Sequence, residues 1–268
     1  LRGYGAPAKP SRVWNNHSLT VFNPSPGVVV AFAYLCTQIN LINVMRRVFL
    51  LPLMLCNLCS LVACSSDGDE PNGGGSGSVY RPKMVDLGLP SGVLWADCNL
   101  GAKTPYEAGN YYAYGETETK SDYSWATYKW WADKMTKYTG EDGKAQLEAA
   151  DDVARVRLGE GYRVPTVADY MELTDKCSWS WVSDYHGANG FLIKGPNGNT
   201  IFLPAAGFKA NKDRYYYGAN SCYWLSDVAS KDSYTFACGI TSVGASLSTG
   251  AGLCSRVLGL TVRPVAVK

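Results

Sequence analysis

An α+β domain, two helices with short antiparallel strands, is the fold class that the sequence predicts. Three observations carry that reading. Two segments have helix-forming composition with recognisable starts and stops. From Val79 onward most other segments are short apolar runs broken by Gly, Asn and Pro, the pattern of strands joined by turns. The two helical segments come together and many short strands follow them, the order expected of α+β architecture.

Taken from the start, residues 1–44 show no coherent pattern and are set apart as an upstream, non-domain segment. Met45 opens "MRRVFLLPLMLCNLCSLVAC". Two arginines, an apolar run and small residues before a cysteine follow the order of a secretory signal peptide. Pro52 and Asn57 interrupt the apolar run, which is short for a bilayer span of roughly 20 residues. Residues 45–64 are therefore expected to be a signal segment. Residues 65–78 begin "SSDGDE" and end "PNGGGSGS", an acidic stretch and then a flexible linker. The domain proper is expected at 79–268, about 190 residues and one domain's worth by length.

Within the domain, "VDLGLPSGVLWADCNLGA" reads as short strands and turns. "EDGKAQLEAADDVARVRLGEG" is the strongest helical composition, stopped by Gly159 and Gly161. A second helix is expected from Val167 to about Lys176. Pro165 precedes it, Thr166 is the N-cap, and Asp169 completes a capping-box-like pair. Val167, Tyr170, Met171 and Leu173 give it an apolar stripe. "GFLIKGPNGNTIFLPAAG" reads as a hairpin turning at Pro196–Asn199. "CYWLSD", "SYTFACGI" and "GLTVRPVAV" are the closing strands.

Composition excludes one class of partner. The chain has 25 Lys and Arg against 23 Asp and Glu, but five of the basic residues and none of the acidic ones precede Cys64. The remainder is net −3, without the clustered Lys and Arg that a polyanion requires, so no nucleic-acid partner is expected. Five cysteines follow Cys64: Cys98, Cys177, Cys222, Cys238 and Cys254. None forms a C-x-x-C pair, and no metal or cofactor is expected. Cys98 and Cys177, in aromatic and structured contexts, are the candidate disulfide pair.

Candidates for catalysis are sparse. His186 is the only histidine after the leader and lies in the turn-like "SDYHGANG". Asp151-Asp152 are adjacent carboxylates at a helix start, where they favour the helix dipole. Glu116, Glu118 and Asp122 are oxygen ligands whose spacing alone does not make a calcium site. The segment Ala237–Leu258 carries one charge, Arg256, and no aromatic ring. Small polar side chains of this kind, beside Tyr and Trp, suit an adaptable binding face. Tyr216, Tyr217, Trp224, Asp227, Tyr234, Ser242, Ser246, Ser248, Ala251, Leu253, Val257 and Leu258 are the expected ligand-binding residues. Ordinary core and turn packing is the competing use for the same residues.

Several segments resemble known families. Leu61–Cys64 resembles a lipoprotein lipobox, which implies lipidation at Cys64 and a mature protein held at the outer surface by acyl chains. The acidic residues after it resemble the export tag of surface lipoproteins. "VDLGLPSGVLWADCNLGA", "GNYYAYGETETKSDYSWATYK", "DDVARV", "YRVPTVADYMEL", "IFLPAAGF", "CYWLSD" and "GLTVRPV" stand in the order of the Fibrobacter major paralogous domain. Tyr114 and Tyr162 stand where that pattern has Trp, and Leu225 where it has Ser. The resemblance implies a C-type-lectin-like fold, related to that of the formylglycine-generating enzymes, whose terminal strands meet. It further implies kinship with the variable proteins of diversity-generating retroelements, in which Asn-type codons are randomised before a fixed final strand. Ala237–Leu258 lacks Lys, Glu, Gln, Met and Trp, the residues such randomisation does not produce.

The expectation is thus a lipid-anchored, outer-membrane, cell-surface domain that binds an extracellular protein or glycan and is not an enzyme. The alternatives are an enzyme of the related fold, with Cys238 and Cys254 as its thiols, or a structural envelope or fimbrial component.

Overall fold

The structure is a computed structural model that describes residues 80–229, 236–247 and 251–267. The chain divides into two units, Leu1–Asp69 and Glu70–Lys268, and all described residues belong to the second. The expected upstream segment, signal segment, Cys64 and linker lie outside the described residues.

Strands β1 (Met84–Asp86) and β2 (Val93–Ala96) open the domain. A loop region follows, holding a 3-10 turn at Trp125–Thr127 and two short strands, β3 (Trp131–Ala132) and β4 (Lys134–Met135). Next come α1 (Val153–Leu158), β5 (Tyr162–Arg163) and α2 (Val167–Lys176). The second half contains β6 (Ser178–Tyr185), β7 (Ala188–Lys194), β8 (Thr200–Pro204), β9 (Phe208–Ala210) and β10 (Asp213–Tyr215). It closes with β11 (Cys222–Val228), β12 (Phe236–Val243), β13 (Ser246–Leu247), β14 (Gly252–Ser255) and β15 (Val265–Val267). This is an α+β arrangement, with every strand–strand ladder antiparallel.

Helix α2 occupies the span that its capping signals predict. The Thr166 side chain accepts from Asp169 N, and the Asp169 carboxylate accepts from Thr166 N. The helix expected across 141–161 is cut to six residues, with Asp152 as its N-cap. Tertiary pairing takes the rest: Leu147 N donates to Ser226 O at 2.9 Å and Val228 N to Ala145 O at 2.9 Å. A segment recruited alongside β11 in this way cannot also make helical bonds, so tertiary context overrides propensity.

The final strand is internal to its sheet. The order is β1-β2-β15-β5, with Val265 opposite Trp95 and Arg163. A second sheet is the meander β6-β7-β8, and a third is organised by β12, which pairs β11, β13 and β14. Strand β11 separates two apolar cores by its period of two. Cys222 and Trp224 face a cluster containing Tyr112, Tyr114, Tyr138 and Leu260. Tyr223 and Leu225 face another containing Trp95, Leu173, Phe191 and Ile193. Leu225 is therefore a core residue, buried like Tyr114.

The loop region between β2 and α1 has few ladders, and buried aromatic side chains tie it to itself and to the rest of the domain. Tyr111 Oη donates to Ala206 O at 2.6 Å, Tyr114 Oη to Ser226 O at 2.7 Å and Tyr128 Oη to Tyr114 O at 2.9 Å. Trp224 Nε1 donates to Tyr112 O at 2.7 Å. Each ring fills core space while its polar end meets a backbone acceptor, the arrangement that lets an aromatic be fully buried. Arg263, with no exposed surface, does the same for three segments. Its guanidinium donates to Asn99 Oδ1 (2.8 Å), Ala96 O (3.1 Å) and Phe202 O (2.7 Å).

Candidate functional site

The C-terminal strands form a face over this frame. On β12 and β14, Ala237, Ile240, Ser242 and Cys254 are buried, whereas Val243 is 54% and Leu253 52% exposed. Ser246 on β13 is also exposed. The neighbouring turn after β10 carries Tyr216 and Tyr217, 41% and 54% exposed. Backbone bonds join the two: Gly244 N donates to Ala219 O at 3.0 Å, and Ser242 N to Ser221 O at 3.0 Å. The turn itself is tightly held. Asn220 N and Ala219 N both donate to Tyr216 O, and Gly218 N donates to Ala205 O. Gly207, at φ +59°, passes so close that a Cβ there would sit 2.1 Å from Tyr215 O. The Arg214 guanidinium lies 3.9 Å from the Tyr217 ring centroid. Tyr217 also walls a depression of about 80 Å³ that runs to Gly187 and Asn189.

Not all expected residues belong to this face. Tyr216, Tyr217, Ser246 and Leu253 are exposed, and Ala251 and Leu258 are half-buried against the second and first cores. Trp224, Ser242 and Val257 are buried and must be withdrawn from it. Trp224 points to the first core by strand alternation, and Val257 packs with Tyr111, Tyr123 and Tyr128. The Ser242 hydroxyl accepts from Ser221 N at 2.8 Å. Tyr234, Ser248 and the Cys238 side chain lie outside the described residues. Val243 and Arg214 were not among the expected residues. A "VGAS" turn between β12 and β13 is the only signal for the former, and nothing local marks the latter.

The expected Cys98–Cys177 disulfide is corrected: both are buried free thiols. Cys98 Sγ contacts Ala102 O within its own loop at 3.5 Å, whereas Cys177 ends α2 in the second core. Burial pushes the Cys98 thiol up to about 12, with Asp97 adding to the effect.

Glu116, Glu118 and Asp151 are engaged, whereas Asp122 Oδ1 is buried without a hydrogen-bond partner among the described residues. Glu116 pairs with Lys120 at 2.8 Å and accepts from Lys129 N, and Glu118 pairs with Arg157. Asp151 is buried between Lys137 Nζ at 2.5 Å and Tyr138 Oη at 2.6 Å. Burial works to lower the Lys137 pKa, but Asp151 and Glu148 outweigh it and hold the ammonium above its ordinary range. Among the described residues no group of three or more His, Cys, Asp or Glu is placed to hold a metal ion. His186 sits exposed at the β6–β7 tip, stacked on Tyr106 at 5.1 Å.

A second concavity, about 360 Å³, lies beside α1. Leu147, Asp152, Arg155, Arg163, Thr166 and Ser226 are on its wall. Burial raises the Asp152 pKa, although its carboxylate accepts from Arg155 N and Val164 N. Arg163 forms a two-bonded pair with Asp169 at 2.5 and 2.9 Å. Burial works to raise the Asp169 pKa, but Arg163 and Thr166 outweigh it and hold the carboxyl low. Asp227 is half-buried, accepting from Val167 N at 2.6 Å and Gln146 Nε2 at 3.0 Å. It therefore fixes the entry to α2. Among the described residues no helix is long and apolar enough to cross a membrane. Comparison with family models, with curated proteins and with solved structures finds no match.

Proposed function

We propose that the chain is a displayed ligand-binding module of C-type-lectin-like fold, and that it captures an extracellular protein or glycan rather than catalysing a reaction. The face formed by Tyr216, Tyr217, Val243, Ser246 and Leu253 is its contact surface. The supporting observation is the separation of roles along β12 to β14, where inward residues are buried and outward ones carry little structural duty. Such a surface tolerates sequence change without loss of the fold. Two further features support the lectin-like assignment. The last strand pairs beside the second, as the family resemblance implies, and the loop-rich half is pinned by side chains.

In this reading Cys64 is lipidated and tethers the domain at the outer membrane. Two or more acyl chains hold such an anchor stably, at about 0.8 kcal/mol per buried methylene. Arrays of glycans and of extracellular proteins test the binding. Ser246→Lys and Leu253→Glu should each abolish capture of any ligand found while leaving the melting temperature nearly unchanged. Undiminished capture in both variants refutes the assigned face. Diversification of the same segment requires a near-copy of its coding DNA, differing at adenines, near a reverse transcriptase gene.

A further inference from the structure

The concavity beside α1 is a preformed polar site separate from the C-terminal face. Its volume of about 360 Å³ falls in the range of small-molecule sites, roughly 300–1,000 Å³. Four stretches of chain converge on it: 146–149, 152–155, 163–166 and Ser226. They are mutually tied by Leu147 N to Ser226 O, Ser226 N to Pro165 O, and Val164 N to the Asp152 carboxylate. The site is therefore built before any ligand arrives, which lowers the ordering cost of binding.

The charges on its wall are unequally matched. The Asp152 carboxylate is met by two backbone N–H groups. Arg163 is held in plane by Asp169. Asp227, next in sequence to Ser226, is met by Val167 N and Gln146. Arg155 differs: among the described residues its half-buried guanidinium makes neither a hydrogen bond nor an ion pair. A planar guanidinium carries five donors and suits a carboxylate. Arg163 spends three of its five on Asp169 and Val164 O, so two remain. Gln146 and Thr166 add oxygens able to accept from hydroxyls.

We propose that this concavity binds a small hydroxyl-rich carboxylate, of the class of an acidic monosaccharide, with Arg155 pairing the carboxylate. The remaining Arg163 donors and the Gln146 and Thr166 oxygens meet its ring hydroxyls. Leu147 and Val164 give the ring an apolar edge. The site neither requires nor overlaps the surface made by Tyr216, Val243 and Leu253.

The test is titration of the intact domain with glucuronic and galacturonic acids, glucose, galactose and acetate, followed by calorimetry or NMR. The uronic acids should bind at least tenfold more tightly than the neutral sugars and than acetate. Arg155→Ala and Arg155→Gln should each weaken uronic acid binding at least tenfold, whereas Asp175→Ala on the exposed side of α2 should not change it. The two Arg155 variants should lower the melting temperature only slightly, since the side chain they remove makes no hydrogen bond or ion pair among the described residues and only favours the Asp152 charge at a distance. Equal affinity for glucose removes the carboxylate half of the proposal, and equal affinity for acetate removes the sugar half. Absence of uronic acid binding, or binding indifferent to Arg155, overturns it entirely.

Discussion

Replacing Tyr111 by Phe should destabilise the domain more than the same change at Tyr114, although both rings are buried. Both hydroxyls donate to a buried carbonyl, Tyr111 to Ala206 O at 2.6 Å and Tyr114 to Ser226 O at 2.7 Å. The difference lies in what remains. Ser226 O also accepts from Leu147 N at 2.9 Å, so the Tyr114 variant leaves it half satisfied. Ala206 is fully buried and, among the described residues, its carbonyl has Tyr111 as its only donor. Stranding such an acceptor costs about 1–3 kcal/mol, against about 0.5–1 kcal/mol for a hydrogen bond lost where a partner remains. For a domain of this size each kcal/mol lowers Tm by roughly 2–4 °C. Tyr111→Phe should therefore fall by about 2–12 °C, centred near 6 °C, and Tyr114→Phe by about 1–4 °C. Urea unfolding with an unchanged m-value checks that only stability has moved. Equal losses in the two variants refute the claim that the stranded Ala206 carbonyl sets their difference.

Burial raises the pKa of Tyr123 and Tyr223 from 10.0 to about 12. The unfolded chain releases these protons first, so stability is complete below pH 10 and falls as pH rises from there to about 12. The loss is on the order of 2–3 kcal/mol per tyrosine, read as urea midpoints across alkaline pH. Cys98, also pushed up to about 12, should resist alkylation at pH 8 until the domain is unfolded. Peptide mapping of the native protein should yield no Cys98–Cys177 link. Gly207→Ala combines a positive φ with a Cβ 2.1 Å from Tyr215 O. It should cost about 2–4 kcal/mol and disturb the Tyr216–Tyr217 turn, visible as altered tyrosine fluorescence.

Local signals read correctly where the determinants are local. The limits of α2 follow from Thr166 and Asp169, a reciprocal cap three residues apart. The β7–β8 turn follows from Pro196–Asn199. The helix assigned to 141–161 fails because its first half is claimed by β11, and no feature of "EDGKAQLEAA" announces that partner. The candidate face shows a different limit. Composition marks Ala237–Leu258 as small and uncharged, but it does not tell Ser242, turned inward, from Ser246, turned outward. That distinction needs the register of β12 against β11 and β13. The concavity beside α1 was invisible for a related reason: Gln146, Arg155, Arg163 and Ser226 are brought together only by long-range pairing.

The place of β15 has a bearing on how the molecule matures. Residues 265–267 fill the gap between β2 and β5, so the first sheet lacks its middle until segments far apart in the chain have met. Contacts so distant along the chain are slow to form, so this sheet should close late in folding. A product cut short before Val265 would also leave two strand edges bare, inviting proteolysis and aggregation. Loss of β15 thus removes the one strand that shields both β2 and β5.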